Sequence, residues 1–323
     1  MKQVIKNKLI YLLKFSIGIA LIIWILSKVN REKVVEYFLS LDLFTLLLIL
    51  FFSTIAITVQ FLRWRYLVTS NSVSFETKDI IPSFFAGYSF RLMIPGGHAE
   101  ISKIFLLPGK KRGKAVAVGM EKFFQTYIKL VLILVALTFS FPEYNIFFYP
   151  SILVLLLLLF FLPKIKWLKM LQEKEVNNLI IFGVTLIYSL FIYIIMAIQY
   201  FILLNLVNSI KFIETMHTVI YLWGSGIVPI SISGLGVREG LAVYFLDWYG
   251  INPAHAVATS LFLFFLNTII PALVGIYFIY QKRQHLKDMK DTVKSTRSLW
   301  KELRNNNGNS KKSSTEFPLD KGD

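Results

Sequence analysis

The sequence predicts an all-α polytopic membrane protein, and three observations predict it. Hydrophobic residues make up 55% of the 323, and apolar runs of spanning length recur along the chain. Two shorter apolar segments, each broken by proline and glycine, occupy matching places in the two halves. Basic residues gather in alternate connections between the runs. The expected fold has about six full spans and two opposed re-entrant helical hairpins, related by an inverted repeat.

The elements follow in order. Met1 to Lys8 is basic, and Leu9–Ser27 has spanning length with no small-residue cleavage site after it, so it reads as a retained first helix. Leu43–Leu62 is the second span. Ala115–Phe141, Phe147–Pro163, Leu179–Leu206 and Ala254–Tyr280 complete the long ones. The first short element runs from Ile80 to Pro95 and opens into Gly96-Gly97-His98-Ala99-Glu100. The second runs from His217 to Pro229 and opens into Ile230-Ser231-Ile232-Ser233-Gly234-Leu235-Gly236-Val237-Arg238-Glu239-Gly240. As helices, these would reach only about 20 to 24 Å, short of the ~30 Å hydrocarbon core.

Basic charge sets the orientation. Lys2, Lys6 and Lys8 precede the first span; Arg63, Arg65 and Lys78 follow the second; Lys103, Lys110, Lys111, Arg112 and Lys114 follow the first short element. Lys164, Lys166, Lys169 and Lys174 follow the fourth span, and Lys282 and Arg283 begin a basic tail. Pro142–Ile146 has no Lys or Arg, and Asn205–Thr215 has only Lys211. The mixed loop Lys28–Asp42 discriminates least. The positive-inside rule places the termini in the cytoplasm of a cell that carries the protein in its inner membrane. Each short element must then enter and return, the first from inside and the second from outside.

Self-similarity points the same way. Lys114-Ala115-Val116-Ala117-Val118-Gly119, with Phe123-Phe124 and Ile128, matches His255-Ala256-Val257-Ala258-Thr259-Ser260, with Phe264-Phe265 and Ile269 at the same offsets. Both stretches follow a Pro/Gly element. Inverted repeats of this kind permit alternating access around a central site.

The two turns carry the candidate chemistry. A helix broken at membrane depth survives only where its backbone is buried in protein or lines a wet cavity. Gly96-Gly97 and Gly234-Leu235-Gly236 permit tight reversals, and neighbouring half-helix N-termini favour anions. Arg238 adds a forked, permanently charged donor suited to a phosphodiester. The plainer reading is that these glycines only let helices pack closely.

Ionisable residues in or beside spans are Arg91, His98, Glu100, Glu121, Lys122, Lys129, Arg238, Glu239 and Asp247. Glu121, Gln125 and Lys129 share one helix face, with Glu121 and Gln125 looking inward. Lys122 and Lys129 also fit snorkelling anchors. Glu100 and Glu239 handle substrate or protons, or else pair locally with Lys103 and Arg238. His98 and His217 lack metal-ligand spacing, and no metal or other cofactor is expected. No nucleophile elbow, Walker loop or His-Glu-x-x-His helix is present.

These residues carry a resemblance. Pro95-Gly96-Gly97-His98-Ala99-Glu100 resembles the Pro-Gly-Arg-x-Gly-Glu element of the lysylphosphatidylglycerol synthase transmembrane-region family, the flippase-like domain. Glu121-Lys122-Phe123-Phe124-Gln125 is similar to its Glu-Arg-x-x-Asp element. Pro229-Ile230-Ser231 through Ser233, Gly234, Gly236, Arg238, Glu239 and Gly240 resembles its most specific signature, and the similarity covers about residues 5–282. The resemblance implies translocation of an anionic phospholipid or lipid-linked sugar between leaflets, with a transferase partner or a homo-oligomer as the expected assembly. His98, Ala99, Lys122 and Gln125 depart from the family pattern, which has Arg, Gly, Arg and Asp there, and Arg91 lies where the family tends to carry Asn. Lipid recognition at the first turn is therefore expected to differ.

Composition excludes other classes. The net charge of +16 would suit nucleic acid, but it sits in short loops, where it serves topology and attraction to anionic headgroups at the cytoplasmic face. The absence of cysteine excludes disulfides and thiolate chemistry. Domain organisation reads as a membrane domain over 1–282, an amphipathic basic helix over 283–304 and a disordered tail over 305–323. About forty residues follow Tyr280, too few for the soluble aminoacyl-transferase domain of full-length synthases. A lipid flippase is the leading expectation and an enzyme is not; an intramembrane headgroup-modifying enzyme and an accessory scaffold for a glycosyl- or aminoacyl-lipid transferase are the alternatives.

The topology is directly testable because the chain lacks cysteine. A single cysteine replacing Lys111 should react with a membrane-impermeant thiol reagent only from the cytoplasmic side. Labelling from outside intact cells would overturn the inverted-hairpin arrangement.

Overall fold

A computed structural model describes residues 23–24, 27, 31–71, 76–93, 99–107, 111–161, 177–227 and 231–282. Among these residues there are helices and turns and no strand. The described helices are α1 (Arg31–Leu39), α2 (Leu43–Asn71), α3 (Thr77–Met93), α4 (Lys111–Ser140), α5 (Asn145–Phe161) and α6 (Asn178–Leu204). They continue with α7 (Phe212–Gly224), α8 (Val237–Asp247), α9 (Pro253–Phe264) and α10 (Ile270–Gln281). Residues 279–323 form a second unit, of which 279–282 are described.

Among the described residues four helical stretches are long and apolar enough to cross a membrane: Leu43–Asn71, Gly113–Ser140, Asn178–Leu204 and Pro253–Gln281. Pro142–Leu158 is apolar but shorter. The expected first span at Leu9–Ser27 falls almost wholly outside the described residues, as do the proposed tail helix 283–304 and the tail 305–323. The second span runs nine residues beyond its expected end at Leu62, because Arg63 and Trp64 are buried rather than lying in a loop. The mixed segment after Lys28, read as a connection, contains α1. Tyr37 anchors that helix, donating to the Leu203 carbonyl at 3.1 Å and accepting from Thr259 at 2.9 Å.

Helix starts follow from local chemistry. The Asp42 carboxylate accepts from the Thr45 N–H at 3.3 Å ahead of α2, and hydrogen bonding from the Thr45 side chain, with the backbone N–H second, holds its pKa below the usual value. Asn177 and Asn252 cap α6 and α9 through their side-chain oxygens, at 3.0 and 2.9 Å. Pro253 occupies the first turn of α9, where its missing N–H costs nothing. Between α9 and α10 the helix loosens to a π-turn over Phe265–Ile269. Pro271, four residues beyond Asn267, has no N–H to donate to that residue's carbonyl, which explains the break in α-helical register.

Both short elements fold back on themselves. α3 packs on a 3₁₀ helix over Ala99–Leu106, and Ser83 donates to the Lys103 carbonyl at 3.0 Å across that pair. α7 packs on α8 in the same way. Two buried clusters correspond to these units. One gathers Trp64, Leu67, Ile80, Phe84, Tyr88, Phe124 and Ile181 around α3; the other gathers Ile49, Leu203, Val219, Leu222, Leu246 and Leu263 around α7 and α8. The two units touch where α3 meets the turn at Ile232–Gly234.

α3 and α10 touch at close range. Ser89 donates to the Ala272 carbonyl at 2.6 Å, and a Cβ on buried Gly275 would collide with the Phe85 backbone and Ser89. Gly183 on α6 has open space around the same position. Gly275→Ala should therefore destabilise the detergent-solubilised protein by about 1–3 kcal/mol, from overpacking against rigid backbone. Gly183→Ala should be neutral or slightly stabilising, since alanine favours helix. Equal melting temperatures for the two variants would contradict this packing.

Candidate functional site

The two turn regions are each tied down by a buried carboxylate. In the first half, Glu121 on α4 forms ion pairs with Lys103 from the 3₁₀ helix and with Arg63 from α2, the latter at 3.7 Å. All three side chains are at least nine-tenths buried. Lys103 Nζ also lies 3.6 Å from the centre of the Trp64 ring, and Arg63 donates to Ser189 at 3.0 Å. In the second half, Glu239 on α8 pairs with Arg238 and is itself 1% exposed. Ser260 on α9 joins them, accepting from Arg238 Nε at 2.9 Å and donating to Glu239 at 3.0 Å.

Local backbone explains the second turn. Ser233, Gly234 and Gly236 all have positive φ, at 55°, 79° and 83°. A reversal of this kind favours glycine at two of the three, and Ser233 adopts the region that non-glycine residues rarely occupy. Strained backbone of this kind concentrates at functional sites. The Gly236 N–H then donates to Glu239 Oε2 at 2.6 Å, so Glu239 closes the first turn of α8 while it holds Arg238.

A cavity of about 250 Å³ lies among these elements. Five basic residues line it: Arg63, Arg91, Lys122, Lys129 and Arg238. Aromatic faces support several of them. Arg91 sits 5.2 Å from the Tyr88 ring centre, Lys129 Nζ 5.1 Å from Trp223, and Arg238 4.6 Å from Phe264. The side-chain amides of Gln60, Gln125, Gln199 and Asn267 supply neutral polar groups, and Ile192, Met196, Leu222 and Leu263 supply apolar wall. The arrangement suits an anion carried on an apolar body.

Of the residues singled out from sequence, Lys122, Gln125, Ser231, Ser233, Gly234 and Arg238 line this cavity. Gly236 and Glu239 stand directly behind it, at the start of α8. Glu121 does not face the cavity as expected. The cavity stripe on α4 is Lys122, Gln125, Thr126 and Lys129, at i, i+3, i+4 and i+7, while Glu121 turns back to Lys103 and Arg63. Lys122 and Lys129 are thereby cavity residues rather than snorkelling anchors. Lys103 pairs with Glu121, and Glu239 pairs with Arg238, the local pairing that was the plainer expectation for it. Pro95, Gly96, Gly97, His98 and Pro229 lie outside the described residues, and of Glu100 only the backbone is described.

Sequence reasoning missed Arg63, Lys103 and Lys114 as interior residues, having assigned them to topology. Lys114 is 3% exposed and donates to the Leu107 carbonyl at 2.6 Å. The available signal for Arg63 was its position between Leu62 and Trp64, inside an unbroken helical run. His217 contacts Ser140 at 2.7 Å and Tyr249 at 2.8 Å. Among the described residues no group of three His, Asp or Glu could hold a metal.

A model of the family described as lysylphosphatidylglycerol synthase TM region matches residues 11–275. No curated protein matches the chain.

The two faces of α4 separate stability from cavity chemistry. Glu121→Gln leaves Lys103 and Arg63 without their buried carboxylate and should cost about 3–5 kcal/mol. Gln125→Ala, one turn away on the cavity side, should change stability by less than about 1 kcal/mol. Thermal unfolding of the two variants in the same detergent checks this, and equal losses would place Glu121 in the wrong network.

Proposed function

The chain belongs to the lysylphosphatidylglycerol synthase TM region family, and on that premise we propose that it translocates an anionic lipid between the leaflets of the cell's inner membrane. The observation that carries this reading is the basic, aromatic-supported cavity bounded by both broken elements. Five basic side chains gather around one interior space of a helical membrane protein, where charged residues characteristically mark a substrate pathway.

In this mechanism the two broken elements are re-entrant hairpins entering from opposite faces, with both chain termini cytoplasmic. The lipid headgroup enters sideways between helices while its acyl chains stay in the bilayer. Lys122 and Lys129, one above the other on α4, attract the phosphate. Arg238, held at a fixed angle by Glu239 and Ser260, offers its guanidinium fork. Alternating exposure of the cavity then releases the headgroup to the other leaflet.

Headgroup chemistry is the less favoured reading, and the carboxylates give the reason. Glu121 and Glu239 are both engaged in buried ion pairs and neither lines the cavity where a headgroup would sit. On this reading the lipid is moved without chemical change.

Leaflet exchange of a tail-labelled anionic phospholipid in proteoliposomes tests the proposal. Wild type should exchange it faster than phosphatidylcholine, and the lipid should be recovered unmodified. Arg238→Lys should slow exchange by about ten-fold, since ammonium cannot replace the fork. Glu239→Gln should lower both exchange and melting temperature, because it breaks the pair and weakens the cap together. Unimpaired exchange in Arg238→Lys and Arg238→Ala would remove Arg238 from the binding role. Recovery of a modified lipid would favour the enzyme reading.

A further inference from the structure

Two parts of the cavity wall are built as separate bodies, and the broken helix from α9 to α10 joins them. One body carries Arg238. Ser260 on α9 donates to Glu239 at 3.0 Å and accepts from Arg238 Nε at 2.9 Å, and Phe264 at the end of α9 lies 4.6 Å from the guanidinium. The other body carries Arg91 on α3, which is clasped to α10. Ser89 donates to the Ala272 carbonyl at 2.6 Å, Gly275 lies against the Phe85 backbone, and the Phe85 ring stacks on Phe278 at 6.1 Å. Those contacts run along α10 from Ala272 to Phe278. Arg91 and Arg238 both line the cavity. The chain passes from one body to the other through the π-turn at Phe265–Ile269.

The π-turn has the construction of a joint. The repeat that sets Phe123-Phe124 against Phe264-Phe265 sets Leu130 against Pro271, yet α4 runs unbroken through Leu130 from Lys111 to Ser140. The break therefore belongs to one half of the protein and not to the repeat as such. Pro271 leaves the Asn267 carbonyl without its α-helical donor, so bending here sacrifices less than bending elsewhere in a helix. The middle of the turn is pinned. The Asn267 and Gln199 amides hydrogen-bond at 2.9 Å, and Gln199 bonds Ser53 on α2 at 2.8 Å. A pinned centre with each arm tied to a different body is the geometry of a hinge. We propose that the π-turn is the hinge of the cavity, and that α3 and α10 swing about it as a unit, carrying Arg91 towards and away from Arg238. Tyr88 on α3 holds the position seen here by donating to Gln60 on α2 at 2.9 Å, and both residues line the cavity. A change of about 20° at the joint moves Ile276, about 13 Å along the arm, by about 5 Å.

This inference rests on the lipid-translocation reading, so its test has an arm that measures the swing without transport. The chain has no cysteine, which lets pairs of spin labels be placed one pair at a time. Ile276→Cys on α10 with Ile187→Cys on α6 spans the hinge, whereas Tyr244→Cys on α8 with Ile187→Cys does not, and all three side chains are exposed. In proteoliposomes the first pair should give two distances about 5 Å apart, and the second pair one. Pro271→Ala, which returns a donor to the Asn267 carbonyl, should merge the two distances and stop exchange of labelled phosphatidylglycerol without lowering the melting temperature. Gln60→Leu should shift the ratio by about five-fold against the distance that this structure gives, the worth of about one hydrogen bond. Should Pro271→Ala fold poorly, Gln60→Leu decides alone. A single distance from the first pair in wild type and in Gln60→Leu, or two distances from the second pair, overturns the hinge. Exchange at the wild-type rate in Pro271→Ala with merged distances overturns it as well. Two distances that respond to both variants, in a protein that exchanges no lipid, support the hinge and sink the translocation reading instead.

Discussion

Two buried carboxylates organise this protein. Glu121 and Glu239 are 4% and 1% exposed, in a chain whose outer surface is built for hydrocarbon. Placing an unpaired carboxylate there would cost several kcal/mol, so each must find cations, and the cations must come to it. Glu121 draws in Lys103 from the segment after the first turn and Arg63 from α2. Glu239 draws in Arg238 beside it, the Gly236 N–H before it and Ser260 from α9. Each carboxylate thus joins a turn region to a long helix. The cavity lies among α2, α3, α4, α6, α7 and the turn that carries Ser231, Ser233 and Gly234.

Much of this was legible in the sequence. Long apolar runs mark the helices at Leu43, Lys111, Asn178 and Pro253, and the Ser233–Gly236 break marks the second turn, while Gly96-Gly97 lies outside the described residues. The Gly234–Glu239 stretch identified the wall that carries Arg238, because its residue types admit few backbone conformations and few uses inside a membrane. The interior charges were harder. Lys103 and Lys114 sit in a basic connection, and composition alone cannot separate a lysine in solution from one reaching 2.6 Å to a buried carbonyl. Arg63 was assigned to the cytoplasmic loop for the same reason, although it continues helix α2 into the core. Of the polar row read on α4, Gln125 and Lys129 line the cavity, while buried Glu121 turns to Lys103 and Arg63; about 100° separates Glu121 from Lys122, and periodicity does not say where a row leaves the cavity wall. Asn267 and Gln199 gave no signal at all, since a neutral amide in an apolar run acquires meaning only from its partners.

The cations of the cavity are held in two physically different ways. A carboxylate partner positions a cation but cancels its charge, as at Glu121. An aromatic face also positions a cation, through the quadrupole of the ring, yet leaves its full charge in place. Trp223 under Lys129, Tyr88 under Arg91 and Phe264 under Arg238 are of this second kind. The rings also add apolar surface suited to the glycerol and upper acyl region of a lipid. Arg238 combines both modes, with Glu239 and Ser260 on one side and Phe264 on the other. A guanidinium held by three neighbours keeps one orientation, so its fork needs no reordering when a headgroup arrives, and the ordering cost of binding is met in advance by the fold.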